Sequence, residues 1–282
     1  MRYTLARLLK EGLTGNKGWK GLWRNPEPKS HYDIIIVGGG GHGLSTAYYL
    51  ANEFNECNIA VLEKGSIGSG NVGRNTTNIR SNYLLHENIQ FYEYSLKLWE
   101  GLEQEFNYNA MVSQRGQLVL FHNDSQRDEM RRMGNAMRMH GADAEILDKE
   151  GVRKIYPFLN FDNARFPIYG GLFQRRAGTV RHDAVAWGYA RGADCKGVDI
   201  IQNCEVTGFR IHSGKCFGVE TTRGFIGAKK VGCAVAGSSS ILMERAGMQL
   251  PIESHVYNAY VSEGLKPIIP GIIAFGMGHF YM

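Results

Sequence analysis

The sequence predicts an α/β fold, and three observations carry that prediction. Residues 32–50 read YDIIIVGGGGHGLSTAYYL, an apolar run, a glycine turn and a helical pattern in succession. A second apolar run, NIAVLEK, follows and closes on Glu63 and Lys64. Between residues 183 and 237 a second α/β stretch repeats the alternation of helix and strand patterns, the order from which a mostly parallel sheet is built.

The first segment is a βαβ unit shaped for a dinucleotide. Gly38, Gly40 and Gly43 fall on the G-x-G-x-x-G frame, with Gly39 inside it. The first glycine permits a tight turn, the second admits a pyrophosphate close to the backbone, and the third lets helix and strand pack closely. The pyrophosphate is expected on the open N–H groups and positive dipole end of the helix that begins near His42. Glu63, about twenty residues beyond the last glycine, suits the ribose hydroxyls. An acid at that point disfavours a 2′-phosphate, so FAD or NAD fits better than NADP. Glycine turns alone are common; the flanking strand, helix and spaced acid make this one specific.

Length and composition bound the rest. A chain of 282 residues, 43% apolar and 21% charged, can bury a substantial core as one domain or two. Much of the net charge of +5 lies in residues 1–30, where Arg2, Arg7, Lys10, Lys17, Lys20, Arg24 and Lys29 outnumber Glu11 and Glu27. This segment reads as a basic arm, either solvated or lying on an acidic partner subunit; Glu11 and scattered glycines spoil a transit-peptide pattern. No run approaches a membrane span or a secretory core, and neither membrane nor nucleic acid is expected as a partner. Cys57, Cys195, Cys204, Cys216 and Cys233 form no C-x-x-C pair, so no metal site is expected and a cytoplasmic setting fits.

The remaining elements follow in order. Asn25-Pro26-Glu27-Pro28 is extended and leads into the first strand. The glycine-rich loop 65–73 runs into Arg74, Asn75, Thr76, Thr77, Asn78, Ile79 and Arg80, a segment expected to face the cofactor because such loops lie at the carboxyl ends of parallel strands. Ile89, Tyr92, Leu96, Trp99 and Leu102 recur at helical spacing as a core stripe. Residues 117–121 read as a strand, and 125–140 as an amphipathic helix with Met130, Met133 and Met137 as core fillers. Asp183 is placed to cap a helix through Val185, Ala186, Trp187 and Ala190, ending near Gly197 before a strand at 198–201. Short strands around Val206 and Val219, joined by a turn at 213–215, precede a buried strand at 231–236.

These residues resemble a family. The strings EGLTGNKGW, VGGGGHGLSTAYYLA, GRNTTNIRSNYL, SQRGQLVL, RRAGTVRHDAVAWG, GVDIIQNCEVTG and LPIESH are similar to beta subunits of heterotetrameric sarcosine oxidases, within the D-amino-acid-oxidase-like flavoprotein superfamily. The resemblance implies a Rossmann-like FAD-binding domain, 31–112 with 171–240, and a discontinuous α+β substrate domain, 113–170 with 241–282. It implies non-covalent FAD in this chain and FMN joined covalently to His182 at the interface with an alpha subunit. It also implies gamma and delta subunits as partners, and oxidation of sarcosine to glycine with hydrogen peroxide formed and a one-carbon unit passed to tetrahydrofolate. Arg80 matches the arginine that holds the substrate carboxylate, the other reading being a structural ion pair. Arg74 is read as a contact to flavin phosphate or ribose, and the backbone at Val206 matches a contact to adenine. Arg181 is expected to add to the positive field around His182. Family chains continue past the position of Met282, so an incomplete subunit is expected. Ser238 stands where the family tends to have histidine.

Overall fold

The computed structural model describes residues 4–19, 21, 23–54, 58–264, 266, 268–276 and 280–282; Arg2, Lys20 and Cys57 lie outside them. In chain order the helices are α1 (Leu5–Leu13), α2 (Gly41–Glu53), α3 (His86–Phe106), α4 (Asp124–Met139), α5 (Lys149–Ile155), α6 (His182–Cys195) and α7 (Ser239–Glu244). The strands are β1 (His31–Val37), β2 (Ile59–Leu62), β3 (Asn78–Ile79), β4 (Gln117–Phe121), β5 (Glu145–Asp148), β6 (Gly170–Gln174) and β7 (Gly178–Thr179). They continue with β8 (Asp199–Ile201), β9 (Val206–His212), β10 (Lys215–Thr221), β11 (Gly224–Cys233), β12 (Ile272–Phe275) and β13 (Phe280–Tyr281).

The chain forms two compact units, residues 1–72 with 189–255 and residues 73–188 with 256–282. Of the segments expected to carry FAD, 31–72 and 189–240 fall in the first unit, whereas 73–112 and 171–188 fall in the second.

The first unit is a six-stranded sheet in the order β8-β2-β1-β11-β10-β9. β1 is parallel to both neighbours, Ile35 standing opposite Ala60 of β2 and Val231 of β11. That position explains its continuous apolar run, since a central parallel strand is covered on both faces. Helix α2 buries Leu44, Ala47, Tyr48 and Ala51, a stripe at helical spacing. The β9–β10 turn is made by Ser213 and Gly214, both with positive φ (48° and 73°), the tight connection that matches strand twist. One expectation needs correction here. The strand expected at 231–236 runs instead from Gly224 to Cys233, and its Val231 is only half-buried. Antiparallel pairing to β10 draws the start forward to Gly224. Past Cys233 the apolar run turns away, with Val235 packing on the core and Ala236 at φ +48°.

The second unit has a five-stranded sheet in the order β13-β12-β4-β6-β5 and a two-stranded ribbon, β3 with β7. β4 pairs antiparallel to β6 and parallel to β12. On α3, Ile89, Leu96 and Leu102 are buried while Tyr92 and Trp99 are half-buried. Helix α4 is capped by Asn123, whose side chain accepts from the Gln126 N–H. Its Met130 and Met137 are buried, with Met133 packed against the same cluster. Buried β6, reading GGLFQ, escaped the sequence reading because two glycines and a glutamine dilute its apolar signal.

Candidate functional site

The turn after β1 is tightly constrained. Gly38 has φ +108°, and a Cβ there would lie 2.5 Å from the Ala234 carbonyl oxygen. A Cβ on Gly43 would lie 1.9 Å from the Gly38 carbonyl oxygen, so only glycine permits this packing of helix on turn. Gly40 occupies the N-cap of α2 without a side-chain cap, and the space its Cβ would fill is open. The N–H groups of the first helical turn therefore have no intrahelical acceptor, and the dipole adds positive potential. This is a cradle for an anion.

Glu63 sits beside the cradle. Its Oε2 accepts from the Gly39 N–H at 2.7 Å and its Oε1 from the Gly65 N–H at 2.9 Å. A carboxylate offers about four lone-pair positions, so two remain for ribose hydroxyls. Gly38, Gly39, Gly40, Gly43 and Glu63 thus come together as the sequence predicts, and they fit a dinucleotide. Lys64 follows on the exposed side. Val206 begins β9 in the same unit, buried, its carbonyl accepting from Arg245 Nη1 at 3.3 Å.

The other predicted residues belong to the second unit, around the β3–β7 ribbon. Asn78 pairs with Thr179 and Ile79 with Gly178 in antiparallel register. Arg74 ends an exposed 3-10 turn, Asn75 Oδ1 accepts from the Thr77 N–H at 2.8 Å, and the hydroxyls of Thr76 and Tyr281 share a hydrogen bond.

Arg80 leaves the ribbon after Ile79. Its Nη1 donates to Asn82 Oδ1 at 2.8 Å, and its guanidinium lies 4.5 Å from the centre of the Tyr83 ring. Tyr83 in turn stacks on Tyr92 at 4.1 Å. Burial pushes the Tyr83 phenol up to about 12, with the Arg80 charge opposing, so the ring beneath Arg80 stays neutral. Among the described residues Arg80 meets no carboxylate. Nε and Nη2 of the planar fork make no hydrogen bond among the described residues.

A buried polar network fixes the next residue. Ser81 is fully buried; its N–H donates to Gln174 Oε1 at 3.0 Å, and its hydroxyl donates to Glu93 Oε2 at 2.8 Å. Gln174 Nε2 returns a bond to Ser81 Oγ at 2.6 Å. Arg176 pairs with Glu93 and also clamps Glu100 through Nε and Nη2 at 2.9 and 3.0 Å. Hydrogen bonding from Arg176 holds the Glu100 carboxyl below its ordinary range. Sequence reasoning did not single out Glu93, Gln174 or Arg176. The available signal was Arg175-Arg176 directly after an apolar run, two cations that need acids.

His182 opens α6, and two expectations about its surroundings change. The Arg181 carbonyl accepts the first helical bond, from the Val185 N–H at 2.9 Å. The helix therefore starts one residue before Asp183, which is not its cap. Asp183 instead takes Arg181 in a two-point pair at 2.7 and 2.9 Å, which depresses the Asp183 carboxyl. A neutralised Arg181 adds little field at His182. The His182 ring itself is partly exposed, and its buried Nδ1 has no hydrogen-bond partner among the described residues.

No group of three metal-ligating side chains occurs among the described residues, and no helix there is long and apolar enough to cross a membrane. Residues 33–281 match the family described as FAD dependent oxidoreductase. The chain is 69% identical to a sarcosine oxidase subunit beta from Rhizobium meliloti strain 1021, over all of this chain and 68% of that protein. It is 45% identical to the subunit of the same name from Rhodobacter capsulatus, again over 68% of that protein. Among solved structures, an L-proline dehydrogenase from P. horikoshii superposes with TM-score 0.79 at 22% identity, over 90% of this chain and 67% of that one, a likeness of fold.

Proposed function

This chain belongs to the FAD-dependent oxidoreductase family, and we propose that it oxidises sarcosine to glycine as one subunit of a larger oxidase. It is an FAD-dependent amine oxidoreductase. In the full reaction, molecular oxygen takes up the two electrons and two protons as hydrogen peroxide, and the methyl carbon passes to tetrahydrofolate. The observation that carries the substrate is whole-chain identity of 69% to a sarcosine oxidase beta subunit. The Arg80 guanidinium, free of acids among the described residues, agrees with a small carboxylate substrate.

The residues divide the work. The N–H groups at the start of α2 hold the pyrophosphate, Gly40 leaves it room, and Glu63 receives the ribose hydroxyls. Lys64, Arg74, Asn75 and Thr76 are assigned to contacts along the dinucleotide, and the Val206 backbone to adenine. Bound FAD supplies the two-electron acceptor that protein side chains lack. Arg80 takes the sarcosine carboxylate with Nε and Nη2, orienting the N-methyl group. Asn82 and the Tyr83 ring hold the guanidinium in place.

His182 is assigned to covalent FMN, at a contact with the alpha subunit; gamma and delta complete the assembly. Support comes from the ring itself, which is partly exposed and whose buried Nδ1 has no hydrogen-bond partner among the described residues. Steady-state assay of the complex tests the reading. Sarcosine should give glycine and peroxide faster than dimethylglycine, proline or glycine are consumed. Preferred turnover of any of those three would reject sarcosine as the substrate.

A further inference from the structure

Beyond the ends of β2 and β8 the two parallel strands stay joined. Leu62 stands opposite Ile201 in their last register pair, and hydrogen bonds run on through residues that belong to no strand. The Glu63 N–H donates to the Ile201 carbonyl at 2.9 Å, the Cys204 N–H to the Glu63 carbonyl at 2.9 Å, and the Asn203 N–H to the Gly65 carbonyl at 3.0 Å. The Gln202 side chain adds a further tie, its Oε1 accepting from the Ile67 N–H at 2.9 Å. Both backbone polar groups of Glu63 are held by residues 201–204, while its carboxylate holds the Gly39 and Gly65 N–H groups. Whatever fixes 202–204 therefore bears on where that carboxylate stands.

This segment lies past the end of β8, and Asn203 has φ +52°, a left-handed conformation that asparagine tolerates. Arg223, in the β10–β11 turn, anchors it from outside. Its Nη2 donates to the Gln202 carbonyl at 2.8 Å and its Nε to the Asn203 carbonyl at 3.3 Å. One rigid planar fork thereby sets two successive peptide groups. Nη1 also meets Glu27 at 3.4 Å, but that carboxylate is exposed and adds little. The turn that carries Arg223 is itself seated. The Arg223 N–H donates to Thr221 Oγ1 at 3.0 Å, and Thr222 exchanges hydrogen bonds with Glu205 at 3.0 and 3.1 Å. Thr221 stands opposite Val206, so the same turn borders the strand assigned to adenine.

We propose that Arg223 is a positioning residue for dinucleotide recognition, setting the Glu63 carboxylate for the adenosine ribose through residues 202–204. The proposal rests on Glu63 receiving the ribose hydroxyls, as assigned above. Every residue in the chain of contacts belongs to the first unit.

The test is fluorescence titration of the flavin-stripped chain with FAD and with the FAD analogue that lacks the adenosine 2′-hydroxyl, reading the ratio of the two dissociation constants. Wild type should favour FAD at least ~10-fold, because the analogue forgoes a hydrogen bond to a carboxylate. Arg223→Gln should lower that ratio at least ~3-fold. A mere loss of folded protein weakens both ligands alike and leaves the ratio unmoved. Gln202→Ala, which removes the acceptor of the Ile67 N–H, should lower the ratio as well and tests the same path where Arg223→Gln does not fold. Arg210→Gln, which breaks the exposed Arg210–Glu220 pair on neighbouring strands, should keep the wild-type ratio. A wild-type ratio in Arg223→Gln and Gln202→Ala, with a lowered one in Glu63→Gln, overturns the positioning role and leaves the ribose assignment intact. A ratio near one in wild type, or one unchanged by Glu63→Gln, rejects the ribose assignment and the proposal together. An equal fall in Arg210→Gln ascribes the effect to general loosening and also overturns the proposal.

Discussion

Asn78 stands opposite Thr179 in the antiparallel β3–β7 ribbon, and this register separates two roles. Arg80 follows β3 beyond one end of the ribbon, whereas His182 follows β7 beyond the other. The proposed substrate anchor and the proposed flavin-linked histidine therefore lie beyond opposite ends of the ribbon. His182→Ala should remove the covalent flavin mass from the denatured chain and leave sarcosine binding within about twofold of wild type. Arg80→Lys should keep that mass and weaken sarcosine binding at least ~10-fold, because lysine cannot make the two-point contact. Intact mass and equilibrium binding read the two effects separately.

The glycine turn separates fold from cofactor. Gly43→Ala places a methyl group 1.9 Å from the Gly38 carbonyl oxygen and should cost about 1–3 kcal/mol of stability along with FAD binding. Gly40→Ala enters open space, so stability should stay within ~0.5 kcal/mol of wild type while FAD affinity falls. Urea denaturation and FAD titration check both.

Ser81→Ala removes the hydroxyl that donates to Glu93 Oε2 and accepts from Gln174 Nε2, while the Arg176–Glu93 pair and the residue 81 N–H bond to Gln174 Oε1 remain. Stability should drop by about 1–3 kcal/mol. Because Ser81 adjoins Arg80, KM for sarcosine should rise more than kcat falls. A loss of stability with unchanged KM would limit the network to a structural role.

Acid should unfold the chain through its arginine-held carboxyls. Hydrogen bonds from Arg176, Arg175 and Arg181 depress Glu100, Glu145 and Asp183 respectively. A depressed carboxyl stabilises the fold fully above its unfolded pKa, about 4, and loses that contribution as pH falls through its folded value. Tm should be flat around neutrality and fall below about pH 4. Arg176→Gln removes the clamp on Glu100, so it should lower Tm at neutral pH more than at pH 3.

The cofactor half of the site was legible because local rules dictate it. Gly38 and Gly43 are required by backbone sterics, and Gly40 and Glu63 follow from their spacing along one βαβ unit. β4 and α4 were equally visible, within a residue, since each has a regular period and clear ends. The Ser81 network was hidden because its members lie on three separate segments and meet only through the β3–β7 and β4–β6 pairings. The partner choice of Arg181 was hidden for a local reason: a bidentate pair with Asp183 outcompetes capping by that carboxylate.

Sarcosine should reduce FAD held by this chain. The direct measurement is anaerobic addition of sarcosine to the FAD-loaded protein, following the visible absorbance of the flavin, with Arg80→Lys alongside. Wild type should bleach at saturable sarcosine concentrations, and Arg80→Lys should need at least ~10-fold more. Flavin that stays fully oxidised in wild type, with FAD bound and Arg80 intact, would contradict sarcosine oxidation by this chain.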